Sequence, residues 1–203
     1  MPRYLVRPLG QFLIRALFIF CFNFVPAVAF AHTGAASGGL LSGFAHPLFG
    51  PDHIAAMVAV GLWGAFLGPP AIYLLPVVFP LVMAVGGALG ILGVRIPGVE
   101  IGIAVSAIIL GLMVALAARP PLLVAAALVG VFAVFHGHAH GAELPVGADA
   151  VAYSLGFVVA TGLLHLTGIA FGLLVRWPVG LIAVRAAGAL IALAGVAFLS
   201  GAA

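Results

Sequence analysis

Two short runs hold most of the side chains in this chain that can do chemistry. His46, Asp52 and His53 lie in an H-P-L-F-G-P-D-H run, and His136, His138, His140 and Glu143 in F-H-G-H-A-H-G-A-E-L-P, from Phe135 to Pro145. Imidazoles mixed with carboxylates suit a borderline divalent ion such as nickel, cobalt, zinc or copper. Calcium or magnesium would want oxygen ligands, and the single cysteine, Cys21, lies far outside both runs. Both runs interrupt long apolar stretches, where an Asp at a helix centre costs about 2.5–3.5 kcal/mol. Only 5% of the residues are charged, so these few groups are the candidate site.

What must position them is a membrane bundle. The chain has 203 residues, 66% of them hydrophobic, and a mean hydropathy of +1.40, whereas a soluble domain would carry roughly a quarter charged residues. The expectation is an all-α membrane protein of a single domain. The formal charge of +3 misleads: Arg3, Arg7 and Arg15 sit at the N-terminus, and Arg95, Arg119, Arg176 and Arg185 balance Asp52, Glu100, Glu143 and Asp149. With no lysine there is no basic patch for nucleic acid and no polybasic lipid-binding segment.

Residues 1–31 read as a secretory signal peptide: an arginine-bearing start, the apolar run from Ala16 to Val28, and Ala29-Phe30-Ala31 as the cleavage pattern. Cleavage would remove Cys21 and leave residues 32–203 as the mature protein. It would also expose the α-amine of His32 beside its own imidazole, a chelating pair for metal capture. A span needs about 20 apolar residues, and six follow the leader, at about 38–67, 71–93, 98–117, 121–140, 149–174 and 179–200. Pro and Arg mark most of the breaks, since Pro ends helices and Arg avoids the hydrocarbon. The fold expected is therefore a six-helix transmembrane bundle after a cleavable signal peptide. With His32 outside, Arg119, Arg176 and Arg185 face the cytoplasm and Arg95 alone faces out, in line with the positive-inside rule.

That orientation puts the two runs on one side. Pro47, Gly50 and Pro51 should break the first span beside His46, Asp52 and His53, and broken backbone is tolerated where it lines a polar cavity or is buried in protein. Met57 shares a face with His53 and reads as core. His136 and His140 are one turn apart on the outer end of the fourth span, with Glu143 following, while His138 points elsewhere and is exposed in the loop. Glu100 opens the third span on the same side, and His165 lies deeper in the fifth. Asp149 reads as an N-cap. Gly86, Gly90, Gly93, Gly98, Gly102, Gly168 and Gly172 read as helix-packing surfaces.

The same two runs resemble the HupE/UreJ family of hydrogenase and urease accessory proteins. Its H-P-x-x-G-x-D-H pattern is matched by His46, Pro47, Gly50, Asp52 and His53, and its F-H-G-x-A-H-G-x-E-x-P pattern by Phe135, His136, Gly137, Ala139, His140, Gly141, Glu143 and Pro145. The Val99-Glu100 start of the third span and the surroundings of His165 are similar too. The resemblance implies a six-span permease domain over residues 32–203. It also implies secondary uptake of nickel or cobalt across the bacterial inner membrane, a periplasmic mature N-terminus, and a link to hydrogenase or urease maturation. No resident cofactor is implied; Ni²⁺ or Co²⁺ is the substrate. On this reading His46, Asp52 and His53 form the transport site. His136, His140 and Glu143 capture the ion or complete the site near Glu100, and His165 receives the ion, or a proton, further in. The residues alone also admit an intramembrane His-cluster metalloenzyme or a membrane-bound metal chaperone. The enzyme lacks its usual marks, since neither H-x-x-H-H boxes nor H-E-x-x-H occur.

Overall fold

The computed structural model describes residues 39–145 and 147–201; the proposed leader and His32 lie outside them. The described residues form seven α-helices: α1 (Leu40–Phe49), α2 (Pro51–Leu67), α3 (Ala71–Ile91), α4 (Val99–Ala115), α5 (Leu122–Ala142), α6 (Ala150–Gly172) and α7 (Pro178–Ser200). A short 3-10 turn, Leu173–Arg176, joins α6 to α7. No strand occurs among the described residues.

Four helices, α3, α5, α6 and α7 (with α6 counted through Arg176), are long and apolar enough to cross a membrane. The expected first span is instead two helices, α1 and α2, bent by 84° at Gly50. Taken together they make a fifth candidate. Pro51 starts α2 at its first turn, where a missing N–H costs nothing, and Gly50 has extended backbone that ends α1. The expected third span is the 17-residue α4, at the short end of the spanning range. Length alone therefore supports four or five crossings, where six were expected.

The polarity of the bundle is inverted relative to a soluble protein. Leu123 and Leu41 are 81% and 77% exposed, while His136 and His165 are 0% and 1% exposed. An apolar exterior around buried imidazoles fits lipid outside and a polar interior. At the centre runs α2, apolar on all sides beyond its first turn, with Met57, Val60 and Trp63 fully buried. It packs against α3, α4, α6 and α7.

Close backbone approach at glycine holds α3 against α5. A Cβ on Gly86 would strike the Val134 carbonyl, one on Gly90 the His138 carbonyl, one on Gly137 the Met83 carbonyl, and one on Gly141 the Gly87 carbonyl. Such contacts bring helices together where lipid gives no hydrophobic drive. Gly102 meets the Phe135 ring and Gly168 the Val58 carbonyl, with Gly172 against Leu62 and Ala65, as a packing role requires. Gly93 and Gly98 differ from the expectation: both have positive φ, in the connection between α3 and α4, and they shape the turn rather than pack helices.

Charge divides the bundle by its ends. Arg185 Nε donates to the Ala115 carbonyl at 2.7 Å, and the Arg119 guanidinium lies 4.6 Å over the Phe66 ring. Both sit where α2 and α4 finish. Arg95 lies at the opposite end, where α3 and α5 finish and the histidine runs are found. The grouping of arginines expected from the sequence is therefore kept, with Arg176 closing the turn before α7.

Candidate metal centre

The bend at Gly50 is what turns the first run into a site. With Asp52 and His53 in the first turn of α2, the Asp52 Oδ1 accepts hydrogen bonds from the His53 backbone N–H at 2.9 Å and from the His53 ring Nδ1–H at 2.7 Å. That pair fixes the tautomer, leaving the lone pair of His53 Nε2 free. Buried and without a partner, Nε2 is poised as a ligand atom, in the carboxylate–histidine arrangement that orients metal-binding imidazoles. Gly50 is required here for close approach, because a Cβ would lie 2.8 Å from His53 Nδ1 and 3.1 Å from Asp52 Oδ1.

The second run arrives on α5. His136 donates from Nδ1 to the Phe132 carbonyl at 3.0 Å, a back-bond within the helix that again leaves Nε2 free and buried. His140, one turn on, has neither ring nitrogen partnered. Gly137 and Gly141 lie beside these histidines in the sequence, on the face that meets α3. The run thus alternates between a packing face and a ligand face.

Three imidazoles converge on that of His53. Its ring centroid lies 4.4 Å from that of His140, 5.4 Å from His136 and 6.0 Å from His46, and His46 lies 4.9 Å from His140. One ligand atom each from His46, His53 and His140 fall within 4.8 Å of one another. Metal–nitrogen bonds of about 2.1 Å put donors of one shell at most about 4.2 Å apart, so small side-chain rotations close these three on an ion. Buried polar atoms without partners cost about 1–3 kcal/mol each, and a bound cation would satisfy several at once. The donor set fits a first-row transition ion.

The other expected residues take different places. Asp52 supports His53, and Glu143, just past the end of α5, is exposed, with its carboxylate 3.9 Å from His46 Nε2. It lies at the rim. Glu100 is exposed in the first turn of α4, at the same end, and its side chain makes no ion pair among the described residues. His165 is buried well down α6, apart from the cluster. His138, expected to be exposed, is instead buried, because α5 continues to Ala142; its Nε2 lies 2.6 Å from the Val94 carbonyl and ties α5 to the α3–α4 connection. Asp149 caps α6, with Oδ1 accepting from the Val151 and Ala152 N–H groups.

Aromatic walls were not anticipated. The Phe157 ring lies 4.1 Å from His140 and 6.3 Å from His46, and Tyr153 lies 6.1 Å from His46. Their spacing of four residues on one helix was the available signal. Beside His140 a cavity of about 200 Å³, with Met83, Gly87, Gly141, Tyr153 and Phe157 among its lining residues, opens between α3, α5 and α6.

A sequence model described as HupE / UreJ protein matches residues 20–198. Protein HupE of Rhizobium leguminosarum bv. viciae is 47% identical over 177 residues, covering 87% of this chain and 93% of that protein. No solved structure matches.

Proposed function

The chain belongs to the HupE / UreJ protein family, and from that premise we propose that it is a secondary permease for Ni²⁺ or Co²⁺. The observation that carries the reading is the convergence of His46, His53 and His140, with donor atoms within 4.8 Å, inside an apolar-faced bundle. Imidazole donors without thiolate select borderline ions, and a site within the apolar bundle is a place to hold an ion in transit.

In this account the broken first span and the short α4 both cross, giving six spans after a cleaved leader. The chain resides in the bacterial inner membrane with its N-terminus in the periplasm, and the histidine end faces the periplasm. Glu143 and His46, the most exposed members, meet the hydrated ion first. Exchange of water for the imidazoles of His53 and His140 follows, with His136 next to them. Glu100 adds negative charge at the same end, and His32 collects metal ahead of it. Asp52 holds the His53 ring and strengthens Nε2 as a donor. Each ligating imidazole must be neutral, so protons compete with the ion. The metal delivered supplies hydrogenase- or urease-type enzymes, and the protein itself is not an enzyme.

The test is accumulation of radioactive nickel at nanomolar concentration in a nickel-uptake-deficient bacterium, comparing wild type with His53→Ala and adding excess unlabelled cobalt. Accumulation abolished by the substitution and reduced by cobalt is expected. Absence of accumulation by a well-inserted protein would replace the permease with a metal chaperone or an intramembrane metalloenzyme.

A further inference from the structure

The cluster at the end of the bundle is not the last place where buried donors lack partners. His165 Nδ1 and Nε2 and Thr161 Oγ1 are also unpartnered, on residues 1% and 0% exposed. They are four residues apart on α6 and so share a face. A helical hydroxyl ordinarily satisfies itself on a carbonyl one turn back. Thr167, on the same helix, does so on Leu163 at 2.9 Å, and buried Ser106 on Ile103 at 2.6 Å. Thr161 does not.

The α2 backbone approaches at Gly61, where a Cβ would strike the His165 carbonyl. One imidazole and one hydroxyl thus share a buried face of α6 with no acid beside them.

This group is joined to the upper cluster through one ring. The Phe79 centroid lies 5.5 Å from that of His136 and 5.4 Å from that of His165. His165 is eight residues along α6 from Phe157, which packs on His140, and so lies about 12 Å deeper.

We propose that His165 and Thr161 form a second station for the transported ion, with the Phe79 ring between it and the upper cluster. The inference rests on the permease reading. One nitrogen and one neutral oxygen hold a partly hydrated divalent transition-metal ion more weakly than three imidazoles do. A site that must pass its ion onward requires that weakness.

The experiment uses the full-length protein, with nickel uptake kinetics in cells and equilibrium dialysis of nickel against purified protein. Thr161→Val, which keeps the shape without the hydroxyl, and His165→Gln should each lower the maximal uptake rate by about tenfold, the low end for losing a group that supports a metal site. The half-saturating nickel concentration and tight binding at the upper cluster should be retained, and Thr161→Ser should recover most of what Thr161→Val loses. At millimolar nickel the wild type should bind a second, weaker equivalent that His165→Gln removes. Wild-type maximal rates in both variants, or no second equivalent in the wild type, would overturn the inner station alone. A wild type that accumulates no nickel would overturn the permease reading, and the station with it.

Discussion

Replacing Asp52 by Asn changes one charge and almost nothing else. The amide keeps the size of the carboxylate, and its oxygen can still accept from His53 Nδ1 at about the present 2.7 Å. The negative partner that makes the opposite nitrogen a better donor is lost. Removing such a supporting carboxylate weakens metal binding about 10- to 100-fold, or about 1.4–2.8 kcal/mol. Asp52→Ala should exceed Asn, because the ring then loses its orientation as well. The assay is equilibrium dialysis of nickel against purified protein, paired with uptake measured across nickel concentrations. For Asp52→Asn the dissociation constant and the half-saturating concentration should rise by the same factor, with the maximal rate retained at saturating nickel. Unchanged affinity would refute the supporting role. A loss greater than about 1,000-fold would instead make Asp52 a direct ligand.

Further outcomes follow from the same geometry. Gly50→Ala should mimic Asp52→Asn in nickel affinity, since its Cβ would sit 2.8 Å from His53 Nδ1; wild-type dialysis would contradict that. Gly137→Ala should destabilise the bundle by about 1–3 kcal/mol through the Met83 carbonyl. Gly130→Ala on the same helix, with its nearest neighbours at 3.9 and 4.0 Å, should be neutral or mildly stabilising, and unfolding in detergent measures both. His138→Ala should lower stability by about 1 kcal/mol yet leave nickel stoichiometry unchanged, although His138 stands inside the same run as the ligand His140.

How much was legible from the sequence depended on how local each feature is. The break beside His46 was visible because Pro47, Gly50 and Pro51 act on the backbone wherever they occur. The pairing of His136 with His140 followed from helical period, and the Asp149 cap from side-chain chemistry. Burial of His138 was not legible, because it depends on where α5 ends and on a carbonyl, Val94, that lies 44 residues away. Nor was the role of Gly50 against His53, or the idle hydroxyl of Thr161. Each is set by a distance of a few ångströms that residue type does not encode. Composition made the membrane plain, while the number of crossings turns on a 17-residue helix and a bend of 84°.

The central claim is that one ion is held by His46, His53 and His140, and X-ray absorption at the nickel edge of the nickel-loaded, full-length protein tests it most directly. The account predicts a spectrum with three imidazole ligands, losing one with His46→Ala, His53→Ala or His140→Ala. An all-oxygen shell, or an imidazole signal indifferent to all three substitutions, would contradict it.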